Sequence, residues 1–348
     1  MQILSDAKSV EQAVLPQNNT LFSAEALLAE RLVDQALARF DQAEKEGYDS
    51  DACGAGRWTC HMLKGDFELA WRESDGISSR GKPDPNRYWD GTDFGGKRVL
   101  IRCLHGLGDT LQFIRYAPLI RERALRLTVE AQPSLAPFLR ECLLADEVIT
   151  WSDRAPSWDQ QIEVVELPRL FRTTLDSIPA QIPYLKFPRS EPRRGHQNRA
   201  FRVGLVWASS IFNPARSVPL SQLEPVFSMA GVQCFSLQAG AERAELSECR
   251  TEIPDVCGEI PDVMITARAI LTLDLVITVD TMVAHLAGGL GCPVWTLLPC
   301  AGDWRWMLNR SDSPWYPTMR LFRQPQPGDW KTVVSQIVQE LRLTLEAK

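Results

Sequence analysis

Short apolar segments alternate with longer amphipathic segments over two successive stretches of the chain, and this alternation constrains the fold more than any other feature. The first stretch contains the apolar runs RVLIRCL, LRLTVEA and EVIT, and the second contains FRVGLVWA, LDLVITVD and PVWTLLP. Apolar runs of this length are typical of parallel strands that are buried on both faces. The alternation therefore predicts an α/β fold with two consecutive Rossmann-like domains.

Shifts in composition mark the expected domain boundaries. Residues 1–20 are polar and predict a loose tail, whereas residues 21–80 have apolar side chains at helical spacing. A segment rich in Gly, Pro, Asp and Ser then precedes the first predicted strand. We expect the first Rossmann-like domain over residues 81–188, a linker over 189–200, and the second domain with a closing C-terminal helix over 201–348.

The helical segment resembles part of a tetratricopeptide repeat. One helix is predicted from Ala24 to Gly47, a second over 51–64, and a third after Gly65. Small residues at helical spacing allow such helices to pack closely. Because repeats of this kind bury their apolar faces by stacking, the segment must pack on the following domain or on another copy of the chain. A homo-oligomer formed through this segment, most simply a dimer, is the second alternative.

Composition and charge disfavour several classes of function. A formal net charge of −6 argues against a general nucleic-acid binder. No apolar stretch approaches the roughly 20 residues of a membrane span, and the N-terminus lacks a secretory signal pattern, so we expect a cytoplasmic protein. The nine cysteines form no C-x-x-C pair and are expected to be reduced and structural. Cys53, Cys60 and His61 lack a fourth ligand, and no metal site is predicted.

The first candidate site is the turn HGLGDTLQ, which follows the run RVLIRCL. Ligands of open α/β sheets bind at the carboxyl ends of strands, where helix N-termini present their N–H groups. Asp109 would either cap the following helix, with Gln112 completing a capping box, or hold a carboxylate at the mouth of a cleft. Gly106 and Gly108 suit a turn in both cases. Leu111 replaces the third glycine of the dinucleotide fingerprint, which disfavours a dinucleotide.

The second candidate site lies where LDLVITVD ends at Asp280 and is followed by Thr281. The N–H groups from Thr281 to Val283 could receive a diphosphate, and capping of the strand-to-helix turn is the alternative. His285 would lie one turn into the helix, either near that anion or as a packed histidine. Arg216 could supply a cation to the same phosphates, or be a solvated loop arginine.

These motifs together resemble the heptosyltransferase-like glycosyltransferases, glycosyltransferase family 9. GLGDTLQFIRY, RVGLVW with RSVPL, CFSLQ, LDLVITVDTMVAHLAGGLGCPVWTLLP and DWRW stand in that family's order. GDFELAWRE and RYWDG resemble the subgroup that is fused to tetratricopeptide repeats. The resemblance implies a GT-B architecture, in which two Rossmann-like domains face a cleft. It also implies metal-independent, inverting transfer, with the acceptor on the first domain and the nucleotide sugar on the second.

The resemblance further implies roles for individual residues. Asp109 maps onto the general base. The donor-binding residues map onto Arg216, Gln238, Glu259, Asp280, Thr281, Met282 and His285, with Glu259 as the candidate for the acid that holds the ribose. The acceptor-side loop contains His105, Gly106, Gly108 and Gln112. His105 and the pair Ser209-Ser210 depart from the family pattern, which leaves acceptor choice and loop geometry open.

The sequence therefore favours a glycosyltransferase that needs no cofactor. By resemblance, it would move a sugar, heptose in the first instance, from an ADP-linked donor to a protein or saccharide hydroxyl. Two alternatives stay open. A sugar-nucleotide epimerase would isomerise the donor, and a non-catalytic scaffold would use its helices to bind partners while its cleft has decayed.

Overall fold

A computed structural model of the chain describes residues 19–81, 93–188, 200–209, 213–258 and 262–347. Residues 1–18 of the predicted tail, most of the predicted linker and Glu259 therefore lie outside the described residues. No helix within these ranges is long and apolar enough to cross a bilayer.

Helices make up the N-terminal part of the described chain. They are α1 (Thr20–Ala29), α2 (Val33–Lys45), α3 (Ser50–Lys64) and α4 (Phe67–Arg80). The prediction of one helix from Ala24 to Gly47 is wrong, because Arg31 adopts a left-handed backbone conformation (φ 63°) that separates α1 from α2. No glycine or proline marks this turn, and apolar residues recur at helical spacing on both sides of it. The sequence therefore shows no break between α1 and α2. The predicted helices on either side of Gly65 are confirmed.

The first α/β unit contains a parallel sheet with the strand order β3-β2-β1-β4. Its elements are β1 (Arg98–Arg102), α5 (Leu107–Phe113), α6 (Ala117–Arg121), β2 (Arg126–Ala131), α7 (Ala136–Glu141), β3 (Glu147–Thr150), β4 (Gln160–Glu163) and α8 (Leu167–Leu170). The helical sequence pattern that follows the glycine turn is divided between α5 and α6, because Pro118 in the first turn of α6 cannot continue a helix. The segment IEVVELPRL, residues 162–170, is largely apolar but forms a strand only as far as Glu163, because a 3-10 turn and then α8, with Pro168 in its first turn, follow.

The second α/β unit contains a parallel sheet with the order β6-β5-β7-β8-β9. Its elements are β5 (Phe201–Val206), α9 (Glu224–Phe227), β6 (Val232–Ser236), α10 (Val263–Ile270), β7 (Leu275–Val279), α11 (Met282–Gly289), β8 (Val294–Leu298), β9 (Met319–Arg323) and α12 (Trp330–Glu346). The sequence pattern does not reveal β9, because Arg320 and Arg323 interrupt its apolar run. The two parallel sheets confirm the predicted α/β class.

One apolar core extends through both α/β units and includes residues of α4. Phe67 of α4 stacks on Trp315 of the second unit with 5.9 Å between ring centroids. Trp71 donates its indole N–H to the carbonyl oxygen of Thr173 in the first unit at 2.7 Å. The helical segment thus packs on the units that follow it, as the first alternative predicted. Phe22 and other apolar side chains of this segment nevertheless stay exposed, so the homo-oligomer stays a prediction.

The cysteines behave as the sequence predicts. All nine are free thiols, and most of them are buried. Burial raises the pKa of Cys103 and of Cys142 to about 12. Thiols with so high a pKa are protonated and chemically inert at neutral pH, which is consistent with a packing role.

Candidate active site

The glycine turn after β1 places Asp109 on the first turn of α5. Gly106 is the N-cap, so the prediction that Asp109 caps the helix is wrong; the helix begins at Leu107, before Asp109. Asp109 Oδ2 instead accepts the backbone N–H of Gly106 at 3.1 Å. Gln112, predicted to complete a capping box, is buried, and its Oε1 accepts a hydrogen bond from Arg305 at 2.9 Å.

Gly108 allows α5 to lie against α11 of the second unit. A Cβ atom added at Gly108 would lie 3.0 Å from Cδ2 of His285 and 3.7 Å from Cα of Met282. Only a residue without a side chain permits so close an approach. The predicted acceptor-side turn and the predicted donor-side helix are therefore in direct contact in this structure.

Helix α11 begins directly after β7, as the sequence predicts. Thr281 is its N-cap, and Thr281 Oγ1 accepts the N–H of Val283 at 3.3 Å. This bond corrects the expectation that the N–H of Val283 is left for a phosphate. Met282 opens the helix, and Asp280 lies buried in the turn that leads to it.

His285 lies one turn into α11 and is buried. Its Nδ1 is 2.8 Å from the hydroxyl oxygen of Tyr316, and its ring stacks on Trp306 with 5.3 Å between centroids. Burial, reinforced by the neighbouring guanidinium of Arg305, lowers the pKa of His285 to about 3. The imidazole is therefore neutral at physiological pH.

Charged side chains of alternating sign connect Asp109 to Asp280, and we call them the charge row. Arg305 Nη2 lies 2.5 Å from Asp109 Oδ1, and Arg305 Nη1 lies 2.8 Å from Asp303 Oδ1. Arg216 continues the row, with Nη2 3.8 Å from Asp303 Oδ2 and Nη1 3.4 Å from Asp280 Oδ2. The row brings together three of the sequence-predicted site residues, Asp109, Arg216 and Asp280, from both units.

Burial and pairing act differently on the carboxyl groups of the charge row. Burial raises the pKa of Asp280, and the guanidinium of Arg216 offsets only part of that effect. Burial also acts to raise the pKa of Asp303, but Arg305 lowers it below its ordinary value through its charge and two hydrogen bonds. Asp303 is therefore ionised at neutral pH, whereas Asp280 takes up a proton more readily than an ordinary carboxyl group.

No role was predicted from the sequence for Asp303 or Arg305, although both belong to the DWRW motif. The Arg305 guanidinium lies over the ring of Trp304 at 4.5 Å and is well buried. Two signals could have identified it. DWRW follows β8 at the carboxyl end of the second sheet, where ligand-binding residues gather, and an arginine between tryptophans is suited to a stacked, buried cation.

Gln238 supports the loop after β5. Its Oε1 accepts the N–H groups of Trp207 at 3.0 Å and Ala208 at 2.9 Å, and its amide nitrogen donates to the carbonyl oxygens of Ala208 and Ala239. The structure thus places Gln238 under the loop that leads to Arg216, with its amide engaged by the backbone.

His105 lies at the carboxyl end of the first sheet. Its side chain is half-exposed, with Nε2 3.4 Å from a carboxylate oxygen of the buried Glu163. Its carbonyl oxygen accepts a hydrogen bond from Gln132 at 2.8 Å. Gln132 also bonds Thr110 of α5 at 2.9 Å, so the turn before Asp109 is held to β2 by a side-chain amide.

Sequence comparison finds one partial curated relative. No family model matches the chain. Protein FlbA of Caulobacter vibrioides is 28% identical over 298 residues, which cover 74% of this chain and 48% of FlbA. The chain therefore spans about half the length of that relative.

Two solved structures are similar to this one in fold. The glycosyl transferase family 9 protein from Veillonella parvula matches with a TM-score of 0.52 and 14% identity, covering 74% of this chain and 99% of its own. The ADP-heptose LPS heptosyltransferase II of E. coli matches with a TM-score of 0.54 and 14% identity, covering 72% of this chain and 99% of its own. The chain has the α/β fold of these glycosyltransferases.

Proposed function

We propose that the chain is a metal-independent, inverting glycosyltransferase that moves a sugar from a nucleoside diphosphate to a hydroxyl group of a protein or a saccharide. The charge row carries this proposal. It connects a carboxylate at the start of α5 to a helix start at Asp280 in a chain with the fold of known glycosyltransferases. Because one similar structure is an ADP-heptose transferase, ADP-heptose is the first donor to test.

The donor diphosphate would bind at the start of α11. The positive end of the helix dipole favours an anion there, and the N–H groups of Thr281 and Met282 would meet it first. Arg216 has a partly exposed side chain and would contribute a cation. The helix start and Arg216 would stabilise the departing diphosphate without a metal ion.

Other predicted donor residues would act on the same ligand. His285 is neutral and lies one helical turn from the phosphate position, where it would shape the site without adding charge. Gln238 would hold the loop that carries Arg216. Glu259 stays a proposal for the ribose.

Asp109 would act as the general base. Its side chain is 26% exposed, and its two oxygens are oriented by Arg305 and by the N–H of Gly106. The acceptor hydroxyl would give its proton to Asp109 while its oxygen bonds to the anomeric carbon of the sugar. The bond from that carbon to the diphosphate oxygen breaks on the opposite face, and the nucleoside diphosphate leaves with the electron pair. Attack opposite the leaving group inverts the anomeric configuration.

We propose further that a cleft opens between the two units to admit the substrates. Gly108 lies against His285 in this structure, so the two units must separate before a donor reaches the start of α11. His105, Gly106 and Gln112 would then line the acceptor side. Return of the units to contact would exclude water and bring Asp109 to the acceptor hydroxyl.

Calorimetry and product analysis test the proposal. The full chain should bind ADP more tightly than AMP, because the second phosphate reaches the start of α11. Incubation with ADP-heptose should release ADP, by transfer to an acceptor or slowly to water, and the rate should persist in EDTA. Isomerised donor without ADP release would instead identify an epimerase. A chain that binds no nucleoside diphosphate at millimolar concentration would be a scaffold, and the proposal would be wrong.

A further inference from the structure

The loop that carries the DWRW motif has little regular structure of its own. We call residues 299–308 the DWRW loop; one short 3-10 turn, Trp304–Trp306, lies within it. Met307 has a left-handed backbone (φ 48°), and so does Asn309 directly after the loop (φ 56°). Left-handed conformations are costly for residues other than glycine and persist only where the surroundings enforce them. The position of this loop therefore depends on contacts from outside it.

Arg31 of the helical segment holds the start of this loop. Its Nη2 donates to the carbonyl oxygens of Ala301 at 3.0 Å and Gly302 at 2.8 Å. Its Nη1 donates to the carbonyl oxygen of Leu28 at 2.8 Å, which anchors the guanidinium to α1. The left-handed turn at Arg31 thus lies beside the two residues that precede Asp303, and the guanidinium ties α1 to them.

Helix α3 holds the remainder of the loop. Trp58 packs edge-on against Trp304 with 5.3 Å between ring centroids. The N–H of Leu308 donates to the carbonyl oxygen of Leu63, the penultimate residue of α3, at 3.0 Å. Because the Arg305 guanidinium lies over the ring of Trp304, the contact with Trp58 fixes the surface on which Arg305 rests.

A second guanidinium holds the end of the loop. Arg323 of β9 donates to the carbonyl oxygens of Trp306 at 3.1 Å and Met307 at 2.6 Å. A Cβ atom added at Gly302 would lie 2.5 Å from Nη1 of Arg323, so the glycine makes room for this side chain. Of the two guanidinium groups that bind the loop backbone, Arg323 belongs to the α/β unit and Arg31 to the helical segment.

We infer that the helical segment is a working part of the candidate active site, in which Arg31 and Trp58 are positioning residues for Asp303 and Arg305. The predicted effect of these two residues on turnover rests on the proposed function, whereas their predicted effect on the order of the DWRW loop does not. It also means that the faces of α1 and α3 that meet the DWRW loop are occupied by the chain's own backbone and side chains and are not a docking surface for a partner.

Hydrogen exchange of the ligand-free full chain tests the structural part. Arg31→Ala should speed amide exchange of residues 300–308 by about tenfold, because the loop opens more often once its start is released. Arg31→Lys keeps a cationic donor and should restore part of the protection. Arg39→Ala is the matched control, since Arg39 of α2 is exposed and bonds only Gln42 among the described residues. Unchanged exchange in Arg31→Ala would overturn the inference.

Kinetics of ADP release from ADP-heptose test the functional part. Arg31→Ala should lower kcat and raise the donor KM, so that kcat/KM falls about tenfold. Its Tm should stay within about 2 °C of that of Arg39→Ala. Trp58→Phe, which keeps an aromatic ring against Trp304, should show a smaller loss of the same kind. Faster exchange with unchanged kinetics would overturn the positioning role. A wild-type chain that binds no nucleoside diphosphate would instead overturn the proposed function, and the exchange result would then decide the inference by itself.

Discussion

Arg305 of the second α/β unit binds Asp109 of the first unit across 196 residues of sequence, with 2.5 Å between Nη2 and Oδ1. The same guanidinium also donates to Gln112 and to Asp303. The proposed base is therefore oriented by the unit that would bind the donor. Any change that separates Arg305 from Asp109 should affect both the contact between the units and turnover.

Asp109→Asn should lower turnover by about 100-fold or more, because the amide cannot accept the hydroxyl proton. The one side-chain oxygen of asparagine can accept either the N–H of Gly106 or the guanidinium of Arg305 but not both, so the chain should still fold, with lower stability than wild type. ADP release and circular dichroism together measure both effects. Asp153→Asn is the control, since Asp153 also accepts a backbone N–H, that of Thr150, in the same unit. Wild-type turnover in a folded Asp109→Asn variant would exclude the base role.

Arg305→Met should destabilise the chain by about 3–5 kcal/mol, because two partly buried carboxylates lose their common partner. Combined with Asp109→Ala, it should show a coupling energy of about 1–3 kcal/mol in urea unfolding. The pair Arg98 and Asp159, with side chains 44% and 40% exposed, serves as the control and should couple by about 0.2–1 kcal/mol. Equal coupling energies for the two pairs would mean that the contact between the units is no stronger than a surface ion pair.

Gly108→Ala should destabilise the chain by about 1–3 kcal/mol and reduce turnover, because the new methyl group would lie 3.0 Å from His285 Cδ2. Gly76→Ala, in the middle of α4, should instead stabilise it by about 0.5–1 kcal/mol, since alanine loses less conformational entropy in a helix. Urea unfolding of both variants measures the difference. A neutral Gly108→Ala would show that α5 and α11 do not need to touch.

His285 should make stability depend on pH. The unfolded state binds a proton near pH 6.5, whereas the folded state binds one only near pH 3, because burial lowers the pKa of His285 to about 3. The contribution of the neutral His285 to the free energy of unfolding is complete above pH 6.5. It is lost progressively as the pH falls toward 3, by up to about 1.4 kcal/mol per pH unit. Urea unfolding at pH 7, 6 and 5 measures it.

In the His285→Gln variant, the free energy of unfolding should depend less steeply on pH than in wild type. The difference between the two slopes is the result, because other groups titrate in the same pH range. A His285→Gln variant with an undiminished slope would show that the folded state does not hold His285 neutral.

Most strands and the start of α11 could be predicted because their signals are local. A buried parallel strand is a run of apolar residues wherever it occurs, and Asp280 with Thr281 marks a strand-to-helix turn by chain neighbours alone. The beginning of α5 was misplaced because its N-cap, Gly106, has no side chain, and the acid that marks the helix start, Asp109, stands three residues further on and accepts the N–H of Gly106. The turn at Arg31 was missed because it is closed by backbone groups, the N–H groups of Arg31 and Leu32 donating to the carbonyl oxygens of Leu28 and Leu27, at a residue that is not glycine.

The sequence by itself determined the α/β class, the alternation of strands and helices, and the identity of the polar residues at the strand ends, because each depends on the spacing of neighbouring side chains. Tertiary structure decided which of those residues meet. Arg305 joins Asp109 only because α5 packs on α11 at Gly108 and because the helical segment and β9 hold the DWRW loop. Long-range contacts of this kind depend on how whole surfaces fit together, and no local pattern encodes that fit.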